Sequence, residues 1–175
     1  MHLVIRHALG VATLVSAVTI VHATVAAPAA AAQAPPPNTC ELVDAAQMLQ
    51  LTGRKDRFGT GPQVQDPSEI PQYTSGCHFL GIAVLLDTPF PPERFARARR
   101  ATETGGLLKV QSISGVGDEA YYERDPRPGN FRAVGLVFRS GTTRVTIAEN
   151  TPADSIETVK KWLLAIAKTA APKVK

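Results

Sequence analysis

Apolar residues near the C-terminus recur at the spacing of a helix. Ile156, Val159, Leu163, Ile166 and Ala170 fall three or four positions apart, with Trp162 flanking the stripe and Lys160, Lys161 and Lys168 on the outer side. That period predicts an amphipathic helix. Thr151 is placed to cap it, Pro152 takes its first position, Asp154 stands at the positive end of its dipole, and Pro172 ends it. An earlier helix starts at Asp44, where Gln47 completes a capping box and Val43 is set to staple against Met48. It runs from Ala45 to Leu51 or Thr52 and stops at Gly53. Between these two, Pro91 and Pro92 open a helix from Glu93 to about Thr102, and Gly105-Gly106 close it.

Elsewhere the period is two. Ile82, Val84 and Leu86 alternate within a predicted strand from Cys77 to Leu86, kinked at Gly81. Leu108 and Val110 mark another strand, and Ala120 and Tyr122 begin the next. After a polar loop, Arg124 to Asn130, comes a hairpin. With Ser140-Gly141 as its turn, Leu136 faces Val145 and Val134 faces Ile147, so both strands turn apolar residues to one side. The span from Gly53 to Ser75 reads as loop, punctuated by Gly59, Gly61, Pro62, Pro67 and Pro71, with a short strand at Gln63-Val64-Gln65. The order predicts an α+β domain: a single antiparallel sheet with helices packed on one face.

This domain occupies residues 40–172. Residues 1–32 have the layout of a secretory signal peptide: Arg6, an apolar run from Ala8 to Val21, then small residues that permit cleavage after Ala23 or Ala32. Residues 33–39 form an Ala/Pro-rich tether containing Pro35-Pro36-Pro37. No later apolar run is long enough to span a bilayer, so the expectation is a periplasmic or secreted protein with no transmembrane segment after cleavage. Loss of Arg6 with the leader leaves 18 basic against 15 acidic residues, a balance of +3, which carries no nucleic-acid signature.

Both cysteines, Cys40 and Cys77, lie in the exported part, where an oxidising compartment favours a disulfide closing a loop of 38 residues. A reactive thiolate would need a basic partner, and the candidate, His78, is the neighbour of Cys77 and points to the opposite side of a strand. His2, His7 and His22 fall in the leader, so His78 is the one histidine of the mature chain. With neither H-E-x-x-H, C-x-x-C nor G-x-S-x-G, no residue is assigned to catalysis, to a metal or to a cofactor.

Two features remain. Gly115-Val116-Gly117-Asp118-Glu119-Ala120-Tyr121 is a double-glycine turn running into a strand. It lacks a third glycine, and its acids repel phosphate, so Gly115, Gly117 and Asp118 are read as a structural turn. Arg94, Arg97, Arg99 and Arg100 crowd the middle helix, where a basic ridge beside Phe95 and Ala98 is a candidate contact for an anionic surface. Arg54, Lys55 and Arg57 form a second basic cluster.

On these residues the chain resembles a loosely defined family of small exported bacterial proteins, many of them lipoproteins, of unknown function. The likeness rests on Cys40-Glu41-Leu42 before a capped helix, on Cys77, on the glycine–acid stretch, and on the hairpin and amphipathic helix that follow. It departs where Pro37-Asn38-Thr39 stands in place of a lipobox. The resemblance implies export and an α+β fold, and transfers no catalytic residue. The expectation is a non-enzymatic envelope or secreted binding domain whose partner is an envelope protein, a polymer or an anionic surface. The alternative is a small inhibitor or accessory subunit of an extracytoplasmic enzyme.

Overall fold

The computed structural model describes residues 38–53, 62–66, 68–79, 81–127, 133–149 and 155–174. The expected leader, residues 33–37 of the tether, the basic cluster at Arg54, Lys55 and Arg57, and the cap at Thr151, Pro152 and Asp154 lie outside them.

The elements are α1 (Thr39–Leu42), α2 (Ala45–Thr52), β1 (Gln63–Gln65), β2 (Ser75–Phe79), β3 (Ile82–Asp87), α3 (Pro92–Thr104), β4 (Lys109–Ile113), β5 (Glu119–Arg124), β6 (Val134–Ser140), β7 (Thr143–Glu149) and α4 (Ile156–Ala170). The seven strands form one sheet in the order β1-β2-β3-β7-β6-β5-β4, every neighbouring pair antiparallel. The expected α+β class, single antiparallel sheet and disulfide are all present.

Alternation along the strands divides the sheet into two faces. Cys77, Val84, Ile147, Leu136 and Tyr122 pair in one row across the sheet, beside a second row of Leu86, Val145, Phe138 and Ala120. Onto these rows α4 lays Val159, Leu163, Ile166, Ala167 and Ala170, while α1 and α2 contribute Leu42, Val43 and Met48. Each large aliphatic or aromatic side chain so buried contributes about 1.5–3 kcal/mol. The reverse face carries Tyr121 and Val137, and α3 packs there through Phe95 and Ala98 together with Phe90. Phe95 meets the Tyr121 ring at 5.6 Å and the Phe90 ring edge-on at 6.4 Å. Packing of helices on one face therefore describes α1, α2 and α4, and α3 covers the other.

Cys40 and Cys77 are bridged, with Cα atoms 5.2 Å apart, which ties α1 to β2. Thr39, assigned to the tether from sequence, is buried, and its hydroxyl bonds to that of Ser75. The fold thus begins ahead of Cys40, with Asn38 capping α1.

Three expectations are corrected. The kinked strand from Cys77 to Leu86 is two strands, β2 and β3, folded back in register with Phe79 opposite Ile82. Gly81, at φ +87°, makes that reversal, a dihedral that other residues reach only at a cost. In the β6–β7 hairpin Ser140 pairs with Thr143, so the turn is Gly141-Thr142 and Leu136 faces Ile147. Glycine takes the first central position, at φ +58°, rather than the second. Pairing shifts by two residues, which preserves the face of every side chain. Finally, Ser155 caps α4 by accepting from the Thr158 amide. The end signals of α2 hold: Asp44 and Gln47 form their capping box, and Gly53 closes the helix in the left-handed conformation.

Candidate functional site

The glycine–acid stretch forms the turn between β4 and β5. Gly117 has φ +54°, and a Cβ there would stand 2.3 Å from the Arg139 carbonyl oxygen, so close approach and dihedral both require glycine. The Asp118 amide donates to that same carbonyl at 2.8 Å. In return Arg139 Nη1 donates to Asp118 Oδ2 at 2.8 Å, and its Nη2 to Glu119 Oε1 at 3.0 Å. Asp118 Oδ2 also accepts from the Gly141 amide at 2.9 Å, and Arg139 reaches the Gly141 carbonyl. Val116 drives into the main core at the tip of the turn. One buried arginine thus clamps this turn to the β6–β7 turn, and the acids that face it are occupied. Nothing local in the sequence marks Arg139, because its role depends on the strand register, which sets it opposite Glu119.

The four arginines of α3 divide into two pairs. Arg94 lies 4.5 Å over the Phe90 ring, donates to the Pro89 carbonyl at 3.4 Å, and is 3.8 Å from Asp87. Arg99 is held by Glu103 and Ser112, both at 2.9 Å, over the Tyr121 ring. Both therefore serve the fold. Arg97 and Arg100 are exposed, with no ion-pair or hydrogen-bond partner among the described residues.

A third group of cations was not singled out in the sequence. At the β4 margin, on the α4 side, Lys109, Val110, Gln111, Tyr122, Arg124 and Lys160 line a cleft of about 260 Å³. Lys109 pairs with Arg124 and Gln111 with Tyr122, so antiparallel register brings two cations abreast on one face. Lys160 comes from α4. Expected to face outward, it leans over the Tyr122 ring at 5.3 Å and donates to Gln111 Oε1 at 3.0 Å. The Tyr122 hydroxyl fixes that approach by donating to the Lys160 carbonyl at 3.0 Å. Burial, and then the nearby Glu157 carboxylate, push the Tyr122 phenol above its ordinary pKa, so it stays a neutral donor. Glu157 is 3.6 Å from Lys160 but 79% exposed, which leaves that ion pair weak. Three cations from three elements thus converge on one cleft. Their convergence needs both the β4–β5 register and the tilt of α4, and neither can be read from composition.

On the reverse face, burial pushes the Tyr121 phenol up to about 12, with the Glu123 carboxylate as the next cause. Glu123 lies against Gly135, and burial raises its carboxyl above the usual range against an opposing pull from Arg144. His78 is exposed on β2. Among the described residues no three His, Cys, Asp or Glu side chains are grouped to hold a metal, and no helix is long and apolar enough to cross a membrane. No protein-family model, curated protein or solved structure matches this chain.

Proposed function

We propose that this protein is an exported, non-enzymatic binding domain, and that its ligand is anionic and held in the cleft between the β4 margin and α4. One observation carries the reading: Lys109, Arg124 and Lys160 converge there, and no acid is among the residues that line the cleft, Glu157 beside Lys160 being turned to solvent. A concave site lined by several like charges concentrates counter-ions, and here the Gln111 amide adds polar hydrogen-bonding capacity beside them. The signal-like residues 1–32 and the disulfide support export. Arg97 and Arg100, exposed and without a partner among the described residues, supply a secondary contact for an anionic surface or polymer. The inhibitor or accessory-subunit reading would need an exposed apolar patch. The large apolar side chains exposed among the described residues, Leu49, Val64 and Leu107, stand on separate segments.

The test is calorimetric titration with citrate and with tripolyphosphate. Binding is expected to weaken about tenfold or more in a Lys109→Ala/Lys160→Met variant, in which the methionine keeps the apolar stem over Tyr122. It is also expected to weaken with added salt. Binding that ignores both substitutions removes the cleft from consideration.

A further inference from the structure

We propose that the cleft receives an extended acidic peptide, which adds to the sheet as an eighth strand beside β4 and presents acids at alternate positions. This rests on the anion-binding reading above and names its ligand class. β4 ends the strand order, and among the described residues no strand pairs with its outer side. Its five residues contain neither proline nor glycine, so its outward N–H and C=O groups form an open template for pairing. The opposite margin, β1, has three residues and is a poorer template.

Pairing geometry then determines what the guest must carry. A strand laid beside β4 follows its pleat at about 4.8 Å, with every second side chain, about 6.8 Å apart, on the cleft face. On that face lie first Lys109 with its partner Arg124, and two residues on, Gln111 with Lys160 bonded to it. A guest with acids at positions i and i+2 therefore meets two cationic stations in succession. Its intervening side chains fall beside Val110 and Ser112 on the reverse face. There Val110 packs against the α3 cluster, and Ser112 holds Arg99, whose charge Glu103 already occupies. Small or β-branched residues fit that side. Lysine at a sheet margin ordinarily discourages pairing with stray strands. Here the same charges turn away neutral or basic strands and admit acidic ones. They also disfavour a second copy of this chain, since pairing β4 with β4 would bring the two sets of cations together.

The probe is a blocked heptapeptide, acetyl-Thr-Glu-Thr-Glu-Thr-Glu-Thr-amide, titrated into the protein by calorimetry and followed by amide hydrogen exchange. Three controls accompany it: the same composition with its glutamates consecutive, the alternating peptide N-methylated throughout, and citrate. The alternating peptide is expected to bind about tenfold more tightly than either control peptide and to slow exchange of β4 amides. Lys109→Glu, at an exposed position, is expected to abolish that preference while leaving the unfolding midpoint in place. Equal binding of the N-methylated or the consecutive peptide overturns strand addition, and citrate binding that persists in the same experiment leaves the anion site standing. If citrate also fails to bind, the anion site falls with it. A dimer that buries β4 without peptide overturns the proposal as well.

Discussion

Gly117 illustrates how one missing side chain decides a local structure. Its positive φ and the 2.3 Å approach of the Arg139 carbonyl act together, and that neighbour is backbone that cannot swing aside. Gly117→Ala is expected to cost about 2–4 kcal/mol, read as a lower urea midpoint with unchanged slope. Gly115, at φ +78° with open space where a Cβ would go, has the dihedral penalty alone, and Gly115→Ala is expected to cost about 1 kcal/mol. Equal costs at the two sites would refute the close-approach argument. From sequence the pair of glycines before the acids is recognisable as a turn. The partner that makes one of them indispensable lies more than twenty residues further on, and local chemistry does not point to it.

Glu123 carries a second consequence at the level of a single group. Below its ordinary pKa of 4.5 the carboxyl is protonated whether the chain is folded or not, and costs nothing. As pH rises through that value the unfolded chain releases the proton first, because burial holds the folded pKa higher. Stability therefore falls through that window and stays lower above it. Glu123→Gln is expected to raise the thermal midpoint at pH 7, with the gain fading below about pH 4. A gain that persists undiminished in acid would place its cause outside the titration of this carboxyl.

Among the elements, α3 separates what periodicity reveals from what it conceals. Proline at its start and the glycines after it mark its bounds, and Phe95 is identifiable as its inward residue. Which side of the sheet it covers is a matter of connection: α3 leaves β3 and returns to β4, at the far margin of the sheet, by way of the reverse face. The four arginines look equivalent in sequence, yet the side of the helix on which each falls divides them. Arg97→Glu/Arg100→Glu is expected to change stability by less than about 0.5 kcal/mol, since neither has a partner to lose among the described residues. Arg99→Ala is expected to cost more, because it releases Glu103, Ser112 and the packing over Tyr121 together. Chemical denaturation of both variants checks the contrast, and similar losses in the two would show that the division has no energetic weight. The hairpin teaches a related lesson. Alternation determines the face of each β6 and β7 side chain, but pairing that differs by two residues satisfies the same alternation. The observed pairing puts Gly141 rather than Ser140 at the first central position, where the turn takes a positive φ.

For the molecule as a whole, the disulfide joins the first turn of the fold to β2, the strand beside the β1 margin of the sheet. The two cysteines are 37 residues apart in sequence, and on a chain-entropy account their link stabilises by about 4 kcal/mol. Cys40→Ser and Cys77→Ser are each expected to lower stability by about that much, and the double variant by no more than either alone, as equilibrium unfolding would show. Additive losses would mean that the cysteines act separately. The pairing was legible because two cysteines permit one bridge. The cationic cleft was not, since Lys109, Arg124 and Lys160 are ordinary charges until β4, β5 and α4 are assembled.

The bridge also decides how the domain meets a mechanical load. Tension applied at Asn38 reaches Cys40 through Thr39, and the covalent link passes it straight into β2. Residues 41–76, with half of α1, all of α2 and β1 and the first two residues of β2, then lie on a bypassed branch that bears no force while the sulfurs remain joined. Drawn out, that branch amounts to about 125 Å of chain. A single-molecule pull between the two ends would find this length concealed under oxidising conditions and released after reduction, so thiol chemistry sets how far the domain extends before it gives way.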